Sequence, residues 1–182
     1  MKRYAISDPK YFGRSKESFE KALENLKNFD YILYRDKENL NYKKSARIFS
    51  DILKKKGVEK YLIHGDIFLA KELDAFGVHL TSTQFEEIEL SKENSLFTVI
   101  SCHSFKDIER AKKLGADAVT YSPIFETPNK GKSKGVEKLK EAVKLFHNIK
   151  IFALGGIISG KEVSKLGDIE GIYGFSSIRF FL

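Results

Sequence analysis

The sequence predicts an α/β protein with a (β/α)₈ barrel, folded as a single domain over residues 1–182 with its final helix truncated or missing. Eight short runs rich in β-branched and aromatic residues alternate with amphipathic segments, an order typical of a parallel sheet with helices outside it. Eight such units close naturally into a barrel. The chain then stops at residues 179–182, directly after the eighth run.

The predicted strands cover residues 3–7, 31–35, 61–64, 77–80, 96–101, 118–122, 149–154 and 172–175. Helical spacing of apolar residues marks segments 16–29, 42–56, 67–76, 105–114 and 136–146 between them. Since the chain is shorter than roughly 200 residues, the lower end of the range usual for this barrel, we expect the last helix to be truncated or missing and an apolar tail to cover its place. An open, doubly wound sheet is the alternative fold.

Composition excludes several classes of protein. The chain is 42% hydrophobic and 31% charged, which is typical of a globular protein, and no apolar run reaches membrane-spanning length. The single Cys102 rules out an internal disulfide and favours a reducing, cytoplasmic setting. The net charge of +7 suits anionic small molecules. No nucleic-acid partner is expected, because no interleaved basic and aromatic patch is present.

Two cations follow the second predicted strand. Strand alternation places Arg35 and Lys37 on one face, where both could reach the mouth of the barrel. A guanidinium beside an ammonium suits a phosphate or a pyrophosphate. A surface pair held in salt bridges is the alternative, and from these residues alone it is favoured.

The fifth strand ends in polar side chains. Ser101 and His103 share a face, and the Ser101 hydroxyl could bond a phosphate oxygen. Ser104 is better placed as the N-cap of the helix that starts at residue 105. Cys102 lies on the opposite face and is expected to be packed and inert.

A long loop and two small-residue turns complete the predicted mouth. The loop after the sixth strand carries Thr127 and Lys130 among glycines and hydroxyls, so it could close on an anion or be a mobile solvated loop. Barrels often bind phosphate with the loops after strands seven and eight. Glycines at the end of the seventh strand would let backbone N–H groups approach a ligand there. The residues at these two strand ends are Gly155, Gly156, Ser176 and Ser177.

Five of these segments, in order and correctly spaced, resemble the thiamine phosphate synthase/TenI family across nearly the whole chain. The segments are Tyr34-Arg35-Asp36-Lys37, Gly77-Val78-His79-Leu80, Ser101-Cys102-His103-Ser104, Pro123-Ile124-Phe125-Glu126-Thr127-Pro128-Asn129-Lys130 and Ala153-Leu154-Gly155-Gly156-Ile157. They are similar to Leu-Arg-x-Lys, Gly-Val-His-Leu, Ser-x-His-Ser/Thr, Pro-Ile-Phe-x-Thr-x-Thr-Lys and Ala-Ile-Gly-Gly-Ile in the family.

The resemblance implies a transferase of thiamine biosynthesis that joins a pyrimidine diphosphate to thiazole phosphate and releases pyrophosphate with magnesium. It also implies a role for each matching residue. The diphosphate would be held by Arg35, Lys37, Ser101 and Lys130. The loop near the thiazole would be lined by Thr127 and by Asn129 in place of a threonine. The thiazole phosphate would be cradled by Gly156, Ser176 and Ser177. The expected ligands are thiazole phosphate and thiamine phosphate.

The chain departs from the synthase pattern at its metal site. By resemblance, the two magnesium-binding carboxylates fall on Gly65 and Gln84, and Asp66 stands one place late. Magnesium prefers charged oxygen ligands, so we expect it to be a doubtful cofactor here, and no metal ligand is assigned. The magnesium question depends on whether the carboxylate of Asp36 or Asp66 lies at the mouth of the barrel.

A glycine at position 65 and a metal-free fourth loop resemble the TenI branch, some members of which isomerise thiazole phosphate. The histidine of those isomerases aligns with Pro123. His64 or His103 could replace it as the proton carrier, since each would titrate near neutrality. Lys130 completes the candidate catalytic residues. Four functions stay open: a synthase, an isomerase, a non-catalytic binding or regulatory protein for a phosphorylated ligand, and a barrel repurposed for another phosphorylated metabolite.

Overall fold

The computed structural model describes residues 1–128 and 130–182, and its eight parallel strands pair in sequence order into a closed barrel. The predicted (β/α)₈ barrel is therefore confirmed, and the open sheet is wrong. The strands are β1 (Lys2–Ile6), β2 (Tyr31–Tyr34), β3 (Tyr61–His64), β4 (Gly77–Leu80), β5 (Phe97–Cys102), β6 (Ala118–Tyr121), β7 (Lys150–Leu154) and β8 (Gly174–Ser177).

Helices on the outside of the barrel connect successive strands. They are α1 (Pro9–Phe12), α2 (Lys16–Asn25), α3 (Tyr42–Lys55), α4 (Ile67–Glu72), α5 (Ile88–Glu93), α6 (Phe105–Lys113), α7 (Gly135–Leu145) and α8 (Gly160–Gly167). A 3₁₀ turn, Phe85–Glu87, precedes α5. No helix in the described part of the chain is long and apolar enough to cross a membrane.

The last described element is a single 3₁₀ turn, Arg179–Phe181, which follows β8. The Phe181 ring is buried and stacks on Phe175 at 5.8 Å between ring centroids. The described chain thus has a 3₁₀ turn and no helix after β8, and a buried apolar ring packs there as the sequence predicts.

β8 begins later than the sequence pattern predicts. It starts at Gly174, which pairs with Lys2 on one side and Phe152 on the other. A Cβ at Gly174 would lie 2.4 Å from the Lys2 carbonyl oxygen, so the strands can approach only because this residue is glycine. β8 also ends later than predicted, at Ser177, so Ser176 and Ser177 belong to the strand itself.

The lower part of the barrel is filled with side chains. Those packed inside it are Tyr4, Ile6, Tyr31, Leu33, Leu62, Val99, Ala118 and Phe152. Aromatic rings dominate this layer, and Tyr4 and Phe152 lie 5.2 Å apart between centroids. Above this packed layer lies the C-terminal end of the barrel, where such barrels carry their active sites.

Candidate functional site

A cavity of about 330 Å³ opens at the C-terminal end of the barrel, and all eight strands or the loops after them contribute to its lining. The residues chosen from the sequence that line it are Arg35, Lys37, His64, Ser101, His103, Thr127, Lys130, Gly155, Gly156, Ser176 and Ser177. Asn129 lies outside the described residues. The structure therefore gathers the remaining candidates around one space, while their individual roles stay predictions.

The described lining carries positive charge and no carboxylate. Arg35, Lys37 and Lys130 line the cavity together with Arg179, which the sequence patterns did not single out. Burial lowers the pKa of Lys37, and repulsion from Arg35 and Lys130 lowers it further. In the described part of the chain, neither Arg35 nor Lys37 forms a salt bridge, so the surface ion-pair interpretation is wrong. Because these cations repel one another, the cavity favours an anionic ligand that would offset their charge.

Asp36 is kept away from these cations by an ion pair of its own. Its carboxylate is 4% exposed and accepts from Nε and Nη2 of Arg14 at 2.6 and 3.0 Å. This bidentate bond is the main reason that the pKa of Asp36 is lowered. Asp36 is absent from the cavity lining, so it is not the missing metal ligand.

Asp66 is likewise used elsewhere. Its Oδ1 accepts from the Leu69 N–H at 2.8 Å as the N-cap of α4, and its Oδ2 lies 3.9 Å from Nζ of Lys43. Capping satisfies a helix N–H group that would otherwise be unpaired. Neither aspartate considered from the sequence therefore reaches the mouth.

The two positions where the resemblance places magnesium ligands do meet in space. A Cβ on Gly65 would lie 3.4 Å from Oε1 of Gln84. That oxygen accepts from the Thr81 N–H at 2.9 Å, while Nε2 donates to the Gly65 carbonyl at 2.9 Å and to Glu87 at 3.1 Å. The carboxamide is thus fully engaged in joining the loops after β3 and β4. These residues do not fit magnesium, which prefers carboxylate oxygens.

The loop after β6 is fixed at its base against the end of β7. The N–H of Phe125 donates to the Gly155 carbonyl at 3.0 Å, and the N–H of Lys134 donates to the Pro123 carbonyl at 2.9 Å. Thr127 Oγ1 bonds the Phe125 carbonyl at 3.0 Å. The base of this loop is therefore an ordered part of the mouth, which favours the ligand-closing interpretation over a wholly mobile loop.

Gly155 and Gly156 allow this close packing. Their φ angles are +99° and +69°, a region that residues with a Cβ rarely adopt. A Cβ on Gly155 would lie 2.8 Å from Pro123 Cα, and one on Gly156 would lie 2.6 Å from the Glu126 carbonyl oxygen. The glycines are thus required by the packing of the loop as well as by any approach of a ligand.

Backbone donors remain available beside these glycines. Among the described residues, no acceptor pairs with the N–H groups of Gly155, Gly156 or Ile157. The Ser177 hydroxyl is occupied, since it donates to the Ile157 carbonyl at 2.6 Å and accepts from the Phe180 N–H at 3.2 Å. Ser176 Oγ is buried without a partner among the described residues. Three N–H groups are thus left for a ligand.

His103 and its neighbours occupy the places predicted for them. Ser104 caps α6 by accepting from the Asp107 N–H, and burial of Cys102 raises the pKa of its thiol. His103 Nδ1 lies 3.2 Å from the Ser122 carbonyl oxygen. Ser122 Oγ lies 3.3 Å from the same nitrogen and can either donate to it or accept from it, whereas the carbonyl can only accept. In the neutral tautomer that bonds the carbonyl, the hydrogen is on Nδ1 and Nε2 is the basic nitrogen.

His64 differs from the expectation that it titrates near neutrality. Burial and repulsion from Arg35 and Lys37 lower its pKa to about 4. The ring is therefore neutral at physiological pH and a weak base, which reduces its value as a proton carrier.

The pKa of His64 predicts a response to ligand. Neutral His64 stabilises the fold above about pH 6.5, and this contribution is lost as the pH falls through about 4, because the unfolded state binds the proton more readily. Inorganic pyrophosphate would offset Arg35 and Lys37, so its binding should raise the His64 pKa in an NMR titration. The signal of His147, exposed at the opposite end of the barrel, should not respond. No upward shift with saturating pyrophosphate would contradict the placement of the anion.

The sequence patterns assigned no role to His79 or Tyr4. His79 is 3% exposed, lies 3.0 Å from the Tyr4 hydroxyl through Nδ1, and lies 3.1 Å from Ser101 Oγ through Nε2. The available signal was the inward-facing histidine of the Gly77–Leu80 strand, a polar residue where strand alternation predicts the barrel interior.

Comparison with known proteins identifies relatives of this chain. A family model described as thiamine monophosphate synthase matches residues 3–170. "Putative thiamine-phosphate synthase 2" of Aquifex aeolicus is 34% identical over 98% of this chain and 96% of its own length. "Thiamine-phosphate synthase 1" of the same organism is 27% identical over 97% and 87%. The solved thiamine phosphate pyrophosphorylase of Pyrococcus furiosus shares the fold, with a TM-score of 0.77, 24% identity, and coverage of 97% of this chain and 85% of its own.

Proposed function

Because the chain belongs to the thiamine monophosphate synthase/TenI family of thiamine biosynthesis, we propose that it binds thiazole phosphate or thiamine phosphate at the mouth of the barrel. One observation carries the proposal: the described lining presents four cations and no carboxylate beside three backbone N–H groups that lack a protein acceptor. Such a lining favours a ligand with phosphate groups.

Two anion positions follow from the arrangement of these donors. The N–H groups of Gly155 and Gly156 would bind the monophosphate, with Arg179 near the same strand ends adding charge. Arg35, Lys37 and Lys130 would face a diphosphate or pyrophosphate on the other side, because they are close enough for their charges to act on one another. The heterocycle would lie between the two positions, beside Thr127.

The proposed catalytic property is weak or absent magnesium-dependent condensation. A metal ion would neutralise a departing pyrophosphate, but the carboxamide of Gln84 and the backbone of Gly65 occupy the place where its ligands would be. Positioned side-chain cations can neutralise part of that charge without metal.

Isomerisation of thiazole phosphate is the second candidate, and the position of His103 at the cavity favours it. In the tautomer whose Nδ1–H donates to the Ser122 carbonyl, Nε2 would accept a proton at the rim of the cavity. His64, whose pKa lies at about 4, is a weak base at physiological pH. His103 is therefore the proposed proton carrier, and replacing it with glutamine should stop isomerisation while sparing binding.

A turnover assay tests these proposals. With magnesium, thiamine phosphate formation should be far slower than the order of 1 per second ordinary for enzymes, and removing the metal with EDTA should change it little. Installing carboxylates by Gly65→Asp with Gln84→Asp should make the rate depend on magnesium. Wild-type turnover near 1 per second that EDTA abolishes would contradict the proposal and restore a plain synthase. Tight thiazole phosphate binding without turnover in either reaction would favour a non-catalytic protein.

A further inference from the structure

We infer that Tyr4 and His79 position the Ser101 hydroxyl as a hydrogen-bond donor to an anion in the mouth cavity. This inference rests on the proposed function, because it names residues that act on that same anion. Tyr4 and His79 are positioning residues, and Ser101 is the group that would touch the ligand.

The three side chains form a chain of hydrogen bonds from the packed interior to the mouth. Tyr4 is fully buried below the cavity, and His79, also buried, has its two ring nitrogens 3.0 Å from the Tyr4 hydroxyl and 3.1 Å from Ser101 Oγ. Ser101 is half-buried and lines the cavity. Each link is within ordinary hydrogen-bond distance.

The direction of these bonds follows from what each group can donate. Burial raises the pKa of Tyr4 well above its usual value, so the phenol keeps its proton. In the described part of the chain the Tyr4 hydroxyl has one partner, Nδ1 of His79. A buried hydroxyl proton without an acceptor is costly, so the phenol donates and Nδ1 accepts.

The neutral state of the His79 ring determines the directions of the remaining hydrogen bonds. Burial lowers the pKa of His79 well below its usual value, so the ring carries one proton, which must be on Nε2 when Nδ1 accepts. Nε2–H then donates to Ser101 Oγ. With its oxygen engaged as an acceptor, Ser101 keeps its own O–H for the cavity, where an anion would accept it.

Thr120 offers a competing arrangement. Its buried hydroxyl lies 3.5 Å from His79 Nε2 and could donate to that nitrogen, which would place the proton on Nδ1. That arrangement keeps the 3.0 Å contact with its direction reversed, since Nδ1–H would donate to the Tyr4 oxygen, and it leaves the phenol proton without an acceptor in the described part of the chain. The cost of that unpaired buried proton favours the Nε2–H form.

The tautomer can be read directly in the free protein. With ¹⁵N-labelled histidine, long-range ¹H–¹⁵N correlations should show His79 as the Nε2–H tautomer between pH 5 and pH 8 (roughly the physiological window of histidine). Detection of the Nδ1–H tautomer would overturn the inference, whatever the protein binds.

Binding of inorganic pyrophosphate, measured by calorimetry in EDTA, tests the effect on the ligand. Tyr4→Phe should weaken binding about tenfold, the size expected for one hydrogen bond to a charged group. Ser101→Ala should weaken it at least as much. Adding Tyr4→Phe to Ser101→Ala should cause no further loss, since Tyr4 acts through the serine.

Tyr31→Phe is the matched control. Tyr31 is also buried and bonds the Tyr173 hydroxyl at 2.8 Å at the base of the barrel, so its loss affects packing without affecting Ser101. Tyr31→Phe should bind pyrophosphate like the wild type. Wild-type affinity in a folded Tyr4→Phe protein, or additive losses in the double variant, would overturn the positioning role of Tyr4 and His79 and leave the proposed function standing. If the wild type does not bind pyrophosphate, both the proposed function and this positioning role are overturned.

Discussion

Gly156→Val is expected to abolish thiazole phosphate binding. A Cβ at this position would lie 2.6 Å from the Glu126 carbonyl oxygen and 2.7 Å from Phe125 Cβ, and the φ of +69° is strained for valine. Either the loop after β6 or the turn after β7 must therefore move, and the N–H groups proposed to bind the phosphate would move with it. Calorimetry should show a loss of about 100-fold or more, the scale of several kcal/mol of binding energy.

Gly57→Val separates this effect from backbone strain. Gly57 has a φ of +70°, nearly the same as Gly156, but a Cβ there would meet nothing within 4 Å. Both variants should lower the free energy of unfolding through the positive φ, while only Gly156→Val should lose the ligand. Unchanged affinity in a folded Gly156→Val protein would show that the phosphate binds elsewhere.

The architecture could be predicted because it depends on patterns that repeat along the chain. Eight apolar runs, each followed by an amphipathic segment, leave few arrangements other than a closed parallel barrel, and the aromatic tail predicted the cover given by Phe181. The start of β8 was misplaced because Ile172 and Tyr173 have strand propensity, whereas close approach of β1 requires a glycine at 174.

The members of the site were easier to predict than their electrostatics. Strand alternation and position at strand ends were enough to bring Arg35, Ser101 and Gly156 to one cavity. The pKa of His64 could not be obtained in this way, because it depends on burial and on cations from another strand. The use of Asp36 by Arg14 was equally hidden, since the pairing joins separate loops.

His79 shows a further limit of sequence patterns. A motif match marks the residue without saying what it touches, and its partners Tyr4 and Ser101 come from strands far apart in the chain. The closed pairing of the barrel brings these residues of β1, β4 and β5 into contact in its interior.

Arg35→Gln is expected to weaken pyrophosphate binding about 100-fold, because truncating one partner of a desolvated charged contact costs several kcal/mol. The substitution should leave the backbone in place, since the buried Ser7 hydroxyl accepts from the Arg35 N–H at 2.8 Å. Arg35→Lys should bind with intermediate affinity, because an ammonium keeps the charge but loses the bidentate geometry. Calorimetry in EDTA measures each affinity at fixed salt.

Arg35→Gln should also raise the free energy of unfolding of the ligand-free protein, because it relieves the repulsion among Arg35, Lys37 and Lys130. Arg47→Gln changes the net charge equally but removes an exposed pair with Glu72, so it should neither weaken pyrophosphate binding nor raise the free energy of unfolding. Urea unfolding of both variants measures the second quantity. A destabilised Arg35→Gln protein that still binds pyrophosphate normally would mean that Arg35 supports the fold and that the anion is bound by other cations of the mouth.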